Sequence, residues 1–197
     1  MVGVNASLDD SLTVMSETIK QKELLPPKQT DELSNLLSVS MQGLNLHPAH
    51  PNAVVLLTGE ASKKARTLAK VIARSIFAKE ERVISIDFGA LKEPHELSRL
   101  IGTGPGLISF GNKAPIHEIA QMPWSVLVCE GIEACHPVIR DVLSKALANG
   151  YMTDGKGKKI YLSDTIVILT AGTLNLSTRK MGFGRGRFSA RAKFKSR

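Results

Sequence analysis

Four short, largely apolar runs constrain this chain more than any other feature: AVVLLT over Ala53–Thr58, VISID over Val83–Asp87, SVLVC over 125–129 and TIVILT over 165–170. A strand that is apolar throughout has to be covered on both faces, which is the condition of strands in a parallel sheet. The segments between the runs have helical spacing. Residues 63–79 carry Leu68, Ile72 and Ile76 at intervals of four. Pro94 opens a short helix through Leu97, Leu100 and Ile101. Pro137 opens another, carrying Val138, Val142, Leu143, Ala146 and Leu147, and Gly150 stops it. Strands alternating with helices predict a three-layer α/β/α fold with a mainly parallel sheet. The glycines at 102, 104, 106 and 111 predict a loop, and TDGKGKK over 153–159 predicts a hairpin or turn.

Ahead of the first strand, Leu12, Met15, Ile19 and Lys22 follow a helical pattern that Pro26-Pro27 ends. A second amphipathic helix is predicted with Thr30 as its N-cap and Leu33, Leu36, Leu37, Met41 and Leu44 on one face. Residues 45–52 read as a loop. The expected organisation is an N-terminal helical extension over 1–26, an α/β subdomain over 27–176 and a basic tail over 177–197.

The net charge of +8 belongs to that tail. Eight of the 26 basic residues fall between Arg179 and Arg197, where no acidic residue occurs, and the other 18 balance the 18 acidic ones. Arg185, Arg187, Arg191 and Lys193 are its candidate contacts, and GFGRGRF over 182–188 interleaves aromatics with arginines, a pattern that suits RNA or an acidic surface. A plainer reading is a basic extension held by a partner. No apolar run approaches the ~20 residues that cross a bilayer, so no membrane span is expected. The first 30 residues lack the charged and apolar regions of a signal peptide. Cys129 and Cys135 have no metal-type spacing with histidine and read as packing residues. The expected setting is intracellular, in the cytoplasm or an organelle interior, and not secreted.

From about residue 27 to 176 the chain resembles the second AAA+ ATPase module of the ClpA/ClpB/ClpC chaperones. Ser98-Arg99-Leu100-Ile101-Gly102 followed by Gly104-Pro105-Gly106 is similar to that family's SRLVG-PPG segment. Pro123-Trp124-Ser125-Val126 is similar to its PYSV, Glu133 with His136-Pro137 to its E-K-A-H-P, and Met152-Thr153-Asp154-Gly155 with Gly157 to its LTDGxG. The motifs occur in the family's order at nearly its spacing. The resemblance implies a P-loop NTPase-like large subdomain, followed in the family by a final strand beside the first one and by a helical lid. This chain is expected to lack both. Ala53–Thr58 would then be an apolar sheet edge, covered by the tail or by a partner protein.

The same resemblance locates a nucleotide site, and several of its positions are changed. A phosphate loop needs glycines for close backbone approach, a lysine for the phosphates and a hydroxyl for Mg²⁺. Against the family's GPTGVGKT stands Gly59-Glu60-Ala61-Ser62-Lys63-Lys64-Ala65-Arg66. Gly59 is kept, Ala65 takes the lysine position and Arg66 the hydroxyl position. A one-residue slip would bring Lys63 or Lys64 into register, but the next helix aligns without a gap. Arg66 still suits a phosphate, and the three cations also read as a solvated helix start. Glu130 falls on the family's metal-orienting Asp, Gly131 on its water-activating Glu and Gly172 on its water-positioning Asn. In place of the pore loop's aromatic stand Leu107 and Ile108.

These positions imply a catalytically degenerate module, a pseudo-ATPase serving as an interaction, scaffold or regulatory subunit. No cofactor is required, and any bound ATP or ADP would be weak and structural. Protein partners are expected, in a Clp-type ring or another multisubunit complex. Two other readings stay open: an ATP-dependent Clp-type unfoldase subunit working through Lys63, Lys64, Arg66 and Glu130, and nucleic-acid contact through the tail.

Overall fold

The structure is a computed structural model and describes residues 7–42, 49–103, 114–172 and 191–195. The chain opens with helix α1 (Leu8–Gln21), whose first turn is closed by reciprocal hydrogen bonds between Ser7 and Asp10. Helix α2 (Pro27–Met41) follows. Pro27 takes its first position, where a missing N–H costs nothing. Thr30 is therefore not the cap. It is buried one turn inside, and its hydroxyl donates to the Pro26 carbonyl at 3.2 Å.

Strand β1 (Ala53–Thr58) leads into a helical turn, α3 (Glu60–Lys63), and then α4 (Ala65–Phe77). The single helix expected over 63–79 is thus broken at Lys64 and ends at Ala78, which has a left-handed φ of 54°. Strand β2 (Val83–Asp87), a 3₁₀ turn (Pro94–Glu96), α5 (Leu97–Ile101) and α6 (Pro115–Gln121) come next. Strand β3 (Ser125–Glu130), α7 (Pro137–Asn149), the short strands β4 (Tyr151–Thr153) and β5 (Lys159–Tyr161), β6 (Thr165–Ala171) and β7 (Arg191–Lys195) complete the order.

Five parallel strands form the main sheet in the order β2-β3-β6-β1-β7. Every residue of β6 is buried, and all but the last of β3, which is why both are apolar throughout. At the edge, β2 alternates between buried Ile84 and Ile86 and exposed Ser85 and Asp87. On one face α1, α2 and α4 pack over Val55, Leu57, Val126, Val128, Ile166 and Ile168. On the other, α5 to α7 and the hairpin cover Leu127, Cys129, Val167 and Leu169. Met15, Ile19, Leu33 and Leu37 are fully buried. Each contributes about 1.5–3 kcal/mol, so α1 belongs to the core rather than standing outside it.

The expectation of a missing final strand is corrected. Strand β7, from the basic tail, lies parallel to β1, with Val54 opposite Arg191 and Thr58 opposite Lys195. The tail thus covers the edge that the sequence left open. An apolar strand with an unpaired side is relieved by any backbone that can ladder with it. No helix among the described residues follows β6.

Two positions make the fold testable. At Gly150, φ is +77°, and an added Cβ would sit 1.8 Å from the Ala49 carbonyl oxygen. Gly150→Ala is expected to cost about 2–4 kcal/mol in urea unfolding, since both strain and overlap must be relieved. In the β4–β5 turn, the Asp154 carboxylate accepts N–H bonds from Lys158 (2.8 Å) and Lys156 (2.9 Å) and meets His117 Nε2 at 3.2 Å. The Lys158 N–H foremost, then His117 and the Lys156 N–H, hold its carboxyl below the ordinary range against the opposing effect of burial. A depressed carboxyl stabilises above its unfolded value of about 4, and the stabilisation disappears as pH falls through the folded value. The Tm gap between wild type and Asp154→Asn should therefore be constant above about pH 5 and close on acidification below about pH 4.

Candidate functional site

In a parallel sheet, the C-terminal strand ends form the crevice where ligands are held. Here β1 delivers Gly59, β2 Asp87, β3 Glu130 and Gly131, and β6 Gly172 to that end. Gly59 turns the chain at φ 63°, ψ −135°, a conformation open to glycine. Its N–H donates to the Gly172 carbonyl at 2.8 Å, so two of the expected site positions are joined directly. The Gly172 N–H in turn donates to Glu133 Oε1 at 2.8 Å.

The segment after Gly59 is wound into a helical turn. Ser62 N–H donates to the Gly59 carbonyl and Lys64 N–H to that of Ala61, both at 3.1 Å, and the Ser62 hydroxyl also donates to Gly59 O at 2.6 Å. Those backbone donors are spent inside the turn. In a phosphate cradle they would point outward to the ligand.

The cations of the segment are committed as well. Lys63 Nζ pairs with Glu60 at 2.7 Å, and this pairing holds the Glu60 carboxyl below the ordinary carboxylate range. Lys64 Nζ reaches the other way and donates to the Glu23 carbonyl at 2.6 Å, in the connection between α1 and α2. Ala65, the first residue of α4, is buried. Arg66 forks onto Glu130: Nε meets Oε1, and Nη2 meets Oε2 at 2.7 Å. The guanidinium is held charged, first by its hydrogen bond to Glu130 and then by that carboxylate's charge. The Arg66 side chain is 63% exposed and that of Glu130 24%, so one partner stands in water and the other is mostly covered.

Gly131 follows β3 directly with φ +65°, and an added Cβ would lie 3.1 Å from Gly89 Cα and 3.3 Å from Gly89 N. Its N–H donates to Thr170 Oγ1 at 3.0 Å. The loop after β2 closes over this point, with the N–H groups of Phe88 and Gly89 both donating to the Glu130 carbonyl at 2.9 and 3.1 Å. Beside the helical turn lies a cavity of about 450 Å³. Leu24, Leu25, Pro27, Lys20 and Lys64 are among the residues that line it. Lys20 is paired with Asp31 at 2.9 Å.

Sequence reasoning located Gly59, Lys63, Lys64, Ala65, Arg66, Glu130, Gly131 and Gly172, and the structure gathers all of them at this end. It missed Glu23 and Glu133. Glu133 had a signal, since its motif match placed it just beyond β3, whereas a backbone carbonyl such as that of Glu23 leaves none. Cys129 is fully buried, and burial pushes its thiol up. Cys135 Sγ bonds the Ile132 carbonyl at 3.2 Å, and His136 caps α7 by accepting the Val138 N–H at 3.2 Å. Leu107, Ile108, Arg185 and Arg187 lie outside the described residues. Arg191 and Lys193 sit in β7, opposite Val54 and Leu56.

The resemblance implies a Mg²⁺–nucleotide here, and the residues present do not fit it. A guanidinium holds both oxygens of the carboxylate that would face the metal, and no hydroxyl stands at position 66. Among the described residues no group of three or more His, Cys, Asp or Glu side chains is arranged to hold a metal ion. No described helix is long and apolar enough to cross a membrane.

Comparison with known proteins places the fold in a family. The sequence profile described as AAA domain (Cdc48 subfamily) matches residues 50–190. The chaperone protein ClpC2, chloroplastic, of Oryza sativa subsp. japonica is 28% identical over 185 residues, covering 91% of this chain and 20% of that protein. The ATP-dependent Clp protease ATP-binding subunit ClpC of Staphylococcus saprophyticus is 26% identical, covering 92% of this chain and 22% of that protein. A closed-state cryo-EM reconstruction of Hsp104 with ATPγS and FITC casein superposes with a TM-score of 0.73 at 28% identity, over 86% of this chain and 29% of that one. This chain spans about a fifth of the length of the two Clp proteins. A Clp-type module built on a parallel five-stranded sheet, with its profile matched over most of its length, belongs to the AAA domain (Cdc48 subfamily) family.

Proposed function

We propose that this chain is a pseudo-ATPase: a Clp-type AAA module that keeps the nucleotide-binding fold without turning nucleotide over, and serves as an interaction, scaffold or regulatory subunit of a larger assembly. One observation carries the reading. Each cation of the phosphate-loop segment is already committed, Lys63 to Glu60, Lys64 to the Glu23 carbonyl and Arg66 to Glu130. Phosphoryl transfer depends on positioned charge, and here the charges are answered from within. Gly131 adds to this, because a glycine cannot polarise an attacking water.

Protein partners are the natural role for such a module, and the relatives named above include a subunit of a protease. An intracellular setting goes with that role. Purified protein with ATP and Mg²⁺ in a phosphate-release assay is expected to show no turnover above the protein-free blank. Hydrolysis that Glu130→Gln abolishes would replace this reading with that of an ATP-dependent unfoldase subunit. Affinity capture of the intact chain from its native source should recover a stoichiometric protein partner, which an isolated scaffold subunit needs in order to act.

A further inference from the structure

We propose, on top of the pseudo-ATPase reading, that the Arg66 guanidinium is a built-in replacement for the divalent cation: it neutralises Glu130 and ties the start of α4 to the end of β3, so the crevice keeps its shape without metal or nucleotide. Four observations support this. Arg66 lies at the start of α4, three residues after the helical turn ends at Lys63, and Glu130 is the last residue of β3, 64 positions away. The two meet through two of the three guanidinium nitrogens, Nε and Nη2, and both carboxylate oxygens, the forked geometry that fixes orientation as well as charge. Asp87 stands opposite Glu130 on the neighbouring strand, so the strand ends bring two carboxylates together beside one guanidinium. Asp87 also contributes to holding Arg66 charged, and its Oδ1 accepts the Ala90 N–H at 3.2 Å.

A divalent ion would ordinarily answer such a pair of carboxylates with charge and several oxygen ligands. The guanidinium supplies the charge and satisfies both oxygens of Glu130, but it is covalently part of α4 and cannot leave. The contact between α4 and β3 therefore persists through any change in free metal or nucleotide. In a working site the corresponding contact would be made and lost with the ligand.

The test is a set of melting curves on the full chain, with Mn²⁺ alone as the probe. Wild-type Tm is expected to stay within about 1 °C on adding millimolar Mn²⁺ or EDTA. Arg66→Met, which keeps the length of the stem, should lower Tm by about 2–4 °C and recover part of that loss with Mn²⁺, because the unmasked Glu130 and Asp87 then attract the ion. Arg66→Lys keeps the charge but not the fork and should fall between the two, with little response to Mn²⁺. Arg66→Met/Glu130→Gln removes the carboxylate and should lose the Mn²⁺ response. The proposal is overturned if wild type is itself stabilised by several degrees with Mn²⁺, or if Arg66→Met matches wild type in both Tm and metal response. Either result would leave the pseudo-ATPase reading standing, since that reading falls only on turnover in the phosphate-release assay.

Discussion

A chain ended at Thr178 is expected to lose about 3–7 kcal/mol of stability and to associate with itself. Five residues of β7 ladder with β1 in the parallel sheet, and each net hydrogen bond contributes about 0.5–1.5 kcal/mol. Against a typical total of about 5–15 kcal/mol for a domain, that loss brings the fold close to unfolding at ordinary temperature. The cut also leaves AVVLLT as an open edge between α2 and solvent, the kind of strand that pairs with another chain. Light scattering behind a sizing column and urea unfolding would measure the two effects. A truncated chain that stays monomeric at unchanged stability would mean that the β7 pairing contributes nothing. The triple variant Arg191→Ser/Lys193→Ser/Lys195→Ser separates charge from backbone. It keeps the ladder and should melt near wild type, so a loss of stability as large as the truncation's would assign the effect to the tail's charges rather than to the ladder.

That strand also marks how far the sequence could be read. The interior strands β1, β3 and β6 were legible because burial on both faces demands near-continuous apolar residues. Strand β7 was not: RAKFK has neither an apolar run nor β-branched residues. Its place is set by the empty side of β1, more than 130 positions earlier in the chain, and local propensity carries no trace of such a demand. The break at Lys64 was hidden for a similar reason, since Leu68, Ile72 and Ile76 keep a helical rhythm whether or not the preceding turn is continuous with them. The start of α2 was legible and misread, because Pro27 at the first helical position is a stronger signal than Thr30 three residues in. Helix α6 is short, and its buried pair Ile116 and Ile119 offers only a single i, i+3 repeat. In the site, the motif order located the candidate positions one by one. What the sequence could not show is how they answer one another, for the fork between Arg66 and Glu130 and the reach of Lys64 to a backbone carbonyl of residue 23 are products of the fold.

On the pseudo-ATPase reading, placing a carboxylate at position 131 should fail, and visibly. Gly131→Glu is expected to give no ATP turnover and to cost about 2–4 kcal/mol in unfolding. The backbone at 131 has φ +65°, where a non-glycine residue bears about 1–3 kcal/mol of strain. The new Cβ would also press on the Gly89 backbone, with Cα at 3.1 Å and N at 3.3 Å. A backbone neighbour cannot swing aside as a side chain does, so the two segments must separate. That separation strains the N–H bonds by which Phe88 and Gly89 hold the Glu130 carbonyl, and with them the strand end that carries Arg66's partner. In the other direction, a glutamate that did settle there would still face a loop wound into a helical turn, with the Ser62 and Lys64 N–H groups and the segment's cations in use. The fit of glycine at 131 thus depends on its neighbours, and a side chain there meets the Gly89 backbone packed against it. Urea unfolding and phosphate release on the same preparation decide the matter: a Gly131→Glu protein of undiminished stability would show that the contact with Gly89 is slack, and one that also hydrolyses ATP would show that the glycine alone had silenced the site.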